Sequence, residues 1–165
     1  MREKKERVID AVAATKAAIE EGIVPGGGVA LLNISQKMAT IDLGNNSASR
    51  DEITGFEIVK SAIEAPFCQL ITNAGLSSGE LIAKAREATS KSQGFNVLKI
   101  ESVETAETVD MIKEGIIDPV KVVRTAVQNA VSVAGMILTT EAVVYDDPDA
   151  KKEQTSMGGM GDMGM

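Results

Sequence analysis

The stretch that decides the fold runs from Arg7 to Leu32: RVIDAVAATKAAIEEGIVPGGGVALL. Val8, Val12, Thr15 and Ile19 recur within it at helical spacing, and Gly22 follows where a left-handed C′ residue stops a helix. This predicts an amphipathic helix from Glu3 to Glu21. Pro25 and the glycines Gly26, Gly27 and Gly28 then break regular structure, and a helical pattern resumes from Val29 to Ala39. A glycine turn therefore opens a second helix.

Reading outward, the polar segment LGNNSASR (43–50) is an exposed connector, and Ser49 with Glu52 has capping-box spacing before a third helix carrying Phe56, Val59 and Ile63. Pro66 ends or kinks that helix. Phe67, Leu70, Ile71 and Ala74 restart a helical face that Gly75 closes. Ser77 and Glu80 repeat the capping spacing and predict a fifth helix to about Thr89. Loose alternation over Val97–Val103 predicts a small strand pair, and a short helix is expected from Glu104 to Glu114, stopping at Gly115. Asp118 and Pro119 read as N-cap and N1 proline of a long helix to about Leu138, apolar on nearly every side and so expected to be central and enclosed. A short strand, Ala142–Tyr145, lacks a local partner and must pair with a distant segment or another chain. The tail ends in MGGMGDMGM (157–165), which cannot offset its own ordering entropy and is expected to be disordered. The fold class is mainly α: a helical bundle with a small β-hairpin and a C-terminal strand, one domain over 1–146 and a flexible tail over 147–165.

Composition removes several kinds of chemistry. The 165 residues include no histidine and one cysteine, Cys68, which excludes histidine-based triads, disulfides and thiolate zinc sites. A net charge of −7 gives counterion-release binding of nucleic acid nothing to drive it, and 2% aromatic residues provide no stacking platform. No nucleic-acid partner is expected. The charged start, MREKKERVID, has no signal-peptide apolar run, and the longest uncharged stretch, Thr125–Thr140, is shorter than the ~20 apolar residues of a membrane span. These features predict a cytoplasmic protein without a membrane partner.

Four places could carry chemistry. The glycine turn lets backbone approach a ligand and leaves free N–H groups at a helix start, although tight interhelical turns need glycine too. No Gly-Lys-Ser/Thr follows it, so it is not a P-loop. Asp10, among Ala13, Ala14 and Ala17, either pairs with Arg7 on a solvated surface or orients water or a metal-bound phosphate. Asp118 serves as an N-cap, accepts hydrogen bonds from ribose hydroxyls, or does both. Asn96 is a turn residue whose amide could also read an adenine edge.

Taken together, segments 7–32, EAPFCQLITNAG (64–75), GFN (94–96), GIIDPVKVVRTAVQNAVSVAGMILTTEAVV (115–144) and the glycine-methionine tail resemble the group I, GroEL-type chaperonins, in the order of the C-terminal part of that family's equatorial domain. The resemblance implies a mainly helical domain that binds ATP with Mg²⁺ and potassium and joins subunits into rings, working with a co-chaperonin on unfolded proteins. It implies that Asp10 positions the attacking water, Gly27 contacts nucleotide through its backbone, Asn96 and Val97 contact the base, and Asp118 holds the ribose. It also implies that the 142–145 strand pairs with a neighbouring subunit. This sequence departs from the family in lacking the Gly-Asp-Gly-Thr-Thr phosphate loop, in a longer segment between Asn96 and Gly115, and in Val97 where alanine is common. The segment alone is therefore not expected to hydrolyse ATP. Its expected role is a C-terminal piece of an ATP-driven folding chaperone; the alternative is a non-catalytic helical assembly module or an inactive truncated product.

Overall fold

The computed structural model describes residues 2–43, 48–88 and 90–145. Helix α1, Arg2–Glu21, stops at Gly22, which takes φ 86° and donates its N–H to the Ala18 carbonyl at 2.8 Å. Strand β1, Ile23–Pro25, runs into the glycine corner, and α2, Val29–Met38, leaves it. The capping box ahead of α3, Arg50–Ala62, is made as expected: the Glu52 N–H donates to Ser49 Oγ at 3.2 Å and the Ser49 N–H donates to Glu52 Oε2 at 2.7 Å. Pro66 lies in the first turn of α4, Ala65–Asn73, where its missing N–H costs nothing; it starts a helix. Helix α5, Ser78–Glu87, follows Ser77, but the Ser77 side chain accepts no capping hydrogen bond, so the second expected capping box is absent.

Between α5 and the last helix the structure differs from the sequence reading. Val97–Lys99 is a turn of 3₁₀ helix, capped by Asn96, whose Oδ1 accepts the Leu98 N–H at 3.2 Å. That local bond turns the backbone out of the extended form, and Leu98 is left 93% exposed. The strand pair lies instead at β2, Gln93–Gly94, and β3, Val109–Asp110, antiparallel with Gly94 opposite Val109. No helix forms over 104–114. Asp110 Oδ1 accepts the N–H groups of Ile112 and Lys113, an aspartate turn that competes with helix, and the segment drives Ala106 and Met111 into the core.

Strand β4, Ile117–Pro119, pairs antiparallel with β1, with Val24 opposite Asp118. Asp118 is thus a strand residue and not the N-cap, and Pro119 closes the strand one position before α6, Val120–Leu138. The Val120 N–H, which an N-cap would serve, donates to the Gly22 carbonyl at 3.1 Å.

The core gathers Val29 and Leu32 of α2, Phe67 and Ile71 of α4, Leu81 and Ala85 of α5, and Phe95, Ala106 and Met111 of the following segment. Phe67 and Phe95 meet as a tilted pair with centroids 6.3 Å apart. At its edge buried Ser35 donates to Glu64 Oε1 at 2.6 Å, and Arg86 Nη2 reaches both Glu64 oxygens at 2.6 Å.

The expected enclosure of the last helix is not found: α6 has no buried residue, and neither has α1. Val8, Val12 and Ile19, the stripe read as the packing face of α1, are exposed, while Ala14, Ala17 and Ala18 are partly covered. Ala17, with Ala13, lines an open groove against α6, and the larger residues of the stripe stay exposed. Ion pairs Lys121–Glu20 and Arg124–Glu21, the latter at 2.7 Å, tie the end of α1 to the start of α6.

Internal contacts divide the chain into two units, Met1–Val131 and Ser132–Met165. In the second, Val133, Met136, Ile137 and Leu138 are exposed, and residues 142–145 form no strand, having no partner strand among the described residues. The tail expected over 147–165 lies outside the described residues. No helix among the described residues is long and apolar enough to cross a membrane.

Candidate functional site

The glycine corner is shaped by close backbone approach. The Gly26 N–H donates to the Ile116 carbonyl at 2.9 Å, and a Cβ on Gly26 would lie 3.1 Å from the Ile116–Ile117 peptide. Gly27, at φ 65°, would place a Cβ 2.8 Å from Met111 Cε; Gly28, at φ 77°, would place one 2.8 Å from Phe67 Cα. Packing thus accounts for each glycine. The same left-handed turn leaves the N–H groups of Gly27 and Gly28 without an acceptor among the described residues, so they are free to donate to a ligand.

Asp118 stands beside this corner, because its strand register follows directly from the Gly26–Ile116 bond. Its carboxylate is partly buried and has no hydrogen-bond or ionic partner among the described residues; burial pushes it above the usual aspartate range. The other described carboxylates with a clear shift, Glu21, Glu52, Glu64 and Glu114, are all held down by partners. A half-covered acceptor without a donor suits neutral hydroxyl groups, which satisfy it without bringing charge.

Asn96 reaches the same neighbourhood through Met111, which packs against both Gly27 and Gly94, two residues before Asn96. Its Nδ2 donates to Glu114 Oε2 at 3.3 Å, and Lys99 Nζ donates to the same oxygen at 2.6 Å. Val97 is half-buried against the core. Glu114 and Lys99 escaped the sequence reading because Glu114 was assigned to a helix end; Gly115, at φ 75°, marked the turn but not what the turn carries.

Gly27 and Gly94, two residues before Asn96, both pack on Met111, while Asp118 lies on β4 beside the Gly26–Ile116 bond. Asp10 stands apart, about 16 Å along the α1 axis from β1 at 1.5 Å per residue. It is exposed, and the expected pairing with Arg7 is not made: Arg7 Nη2 bonds Glu3 Oε1 at 2.7 Å. Asp10 shares its helix side with Ala13 and Ala17, which line an open groove against Val122, Thr125 and Ala126 of α6. A second hollow of about 300 Å³, almost wholly apolar, lies among Val24, Leu31, Ile34, Val59, Val120 and Val123. Neither is lined by Gly27, Asn96, Val97 or Asp118. Among the described residues no three of His, Cys, Asp or Glu converge as a metal-binding group.

Residues 1–148 match the model of the TCP-1/cpn60 chaperonin family. The chain is also similar to a solved group III chaperonin in the open state, at 29% identity with TM-score 0.63 over 78% of this chain. It spans 25% of that chaperonin's length.

Proposed function

This chain belongs to the TCP-1/cpn60 chaperonin family, and we propose that it is the C-terminal part of the equatorial, nucleotide-binding domain of a group I, GroEL-type chaperonin that assists protein folding and refolding in the cytoplasm. The observation that carries the reading is the half-buried, unpaired carboxylate of Asp118 beside a glycine corner whose N–H groups are free. Asp118 accepts hydrogen bonds from ribose hydroxyls, Gly27 meets the nucleotide through its backbone, and Asn96 with Val97 lies against the base. Asp10, farther along α1, orients the water that attacks the terminal phosphate.

The donors fit the nucleoside, and the isolated carboxylate of Asp10 fits a water-orienting role; they do not form a metal cage. Mg²⁺ and potassium bound with ATP would neutralise charge on its phosphates; among the described residues no ligand set for either converges. Hydrolysis in the complete chaperonin biases two subunit states with different affinities for unfolded chains, in rings that work with a co-chaperonin. The test is made in a full-length protein carrying this segment. Asp10→Ala keeps nucleotide binding and slows turnover by orders of magnitude. Asp118→Asn weakens nucleotide affinity at unchanged melting temperature. Unchanged turnover in the first, or unchanged affinity in the second, removes the assignment.

A second reading, a non-catalytic helical assembly module, is favoured by the exposed Val8, Ile9, Val12 and Ile19 of α1. Native mass separates the two: a 165-residue chain that forms a defined oligomer and binds no nucleotide in any context supports the module.

A further inference from the structure

Asn96 carries a side-chain amide whose two ends look alike to a ligand unless something fixes them. Here both ends are fixed. The Leu98 N–H, a donor only, meets Oδ1 at 3.2 Å, and Glu114 Oε2, an acceptor only, meets Nδ2 at 3.3 Å. Exchanging the amide's oxygen and nitrogen would set donor against donor and acceptor against acceptor. Lys99 holds the Glu114 oxygen at 2.6 Å, and Lys99 with Asn96 holds that carboxylate below the usual glutamate range, so it stays an acceptor at neutral pH. The intervening segment is pinned by the Lys84 ammonium, which donates to the Val103 carbonyl at 2.7 Å, and by buried Ala106 and Met111. Each end of the Asn96 amide keeps one unused position, an N–H and an oxygen lone pair, side by side in a known order.

We infer that Glu114, anchored by Lys99, is a positioning residue that orients the Asn96 amide to discriminate adenine from guanine. The inference rests on the reading that Asn96 faces the nucleobase, and it adds that base choice is set by a residue that does not touch the base. On its Watson–Crick edge adenine offers a donor (N6–H) and an acceptor (N1) where guanine offers an acceptor (O6) and a donor (N1–H), so a fixed donor–acceptor pair favours the first, and a freely flipping amide, which matches either order, loses the distinction.

The experiment uses the ¹⁵N-labelled 165-residue chain for the clasp, and the full-length chaperonin carrying this segment for ATP and GTP affinities. Glu114→Ala is expected to move the Asn96 side-chain amide resonances toward free-asparagine positions and to lower the ATP-over-GTP affinity ratio by roughly threefold to tenfold. Glu114→Gln, which can still accept from Asn96, restores most of the ratio; Lys99→Met falls between. Resonances unmoved by Glu114→Ala overturn the clasp. Moved resonances with an unchanged ratio overturn the positioning role. A ratio unchanged in Asn96→Ala, or absent from the wild type, removes both the base reading and the inference built on it. The resonance data then identify the base reading as the part that failed, because they report the clasp without nucleotide.

Discussion

The packed centre of α2, α4 and α5 and the pair formed by α1 with the first turns of α6 both carry aliphatic residues at helical spacing, yet they hold together by different means. In the centre, Leu32, Phe67, Ile71 and Leu81 are each at most 2% exposed, and full burial of such side chains stabilises by about 1.5–3 kcal/mol apiece. Backbone comes into contact with backbone there, as Gly28 does with Phe67. The α1–α6 pair buries no residue completely and relies on a two-strand clasp and exposed ion pairs beside an open groove. Apolar sequence therefore states a capacity for burial, and neighbours on enough sides decide whether it is used.

That contrast can be broken most sharply at the glycines. Gly28→Ala adds a Cβ at a left-handed residue and 2.8 Å from backbone that cannot swing aside, and should cost about 3 kcal/mol or more in a urea melt of the chain. Gly55→Ala in α3 meets nothing within 4 Å and should gain about 0.5–1 kcal/mol. If the two behave alike, the centre is not tightly packed.

A smaller effect is expected at the edge of the centre. Burial alone would raise Glu64, but Ser35 and Arg86 outweigh it and hold the carboxyl below its ordinary 4.5. A depressed folded value means the carboxylate contributes stability in full above about pH 4.5 and loses it as pH falls through the folded value. Glu64→Gln should cost about 1–3 kcal/mol at pH 7, with the wild-type advantage shrinking in melts below pH 4.5. An equal loss at all pH values would show that charge is not what matters there.

The smallest effect belongs to the ion pairs. Arg124→Gln should lower the melting temperature slightly at low salt and not measurably in 0.5 M salt, because exposed pairs are screened over about a Debye length. A salt-independent loss would mean that Arg124 acts through packing over the neighbouring groove.

Much of this was legible in the sequence. Spacing gave the five helices α1 through α5, with Pro66 misread as the end of α3 where it starts α4, and Ser49 with Glu52 announced a capping box that forms. The misreadings have a common origin. The segment from Asn96 to Gly115 is governed by side chains of Asn96 and Asp110 bonding nearby backbone, which periodicity does not register. Asp118–Pro119 has helix-start chemistry, but pairing with β1, remote in sequence, claims those residues first. Of the candidate site, Gly27, Asn96 and Asp118 were nameable from residue type and resemblance; the free carboxylate of Asp118 and the Lys99–Glu114 support required coordinates. The all-round apolar character of α6 was read correctly as composition and wrongly as enclosure.

The pairing of residues 23–25 with 117–119 also bears on the order of assembly. Helices α2 through α5 all lie inside the loop it closes, so α1 meets its partners β4 and the start of α6 only after the intervening chain has been made. Closing a loop of that length costs entropy that only ordered contents can offset. The docking of α1 against β4 and α6 should therefore follow the ordering of α2 through α5, and its aliphatic stripe stays open to a partner even after that docking.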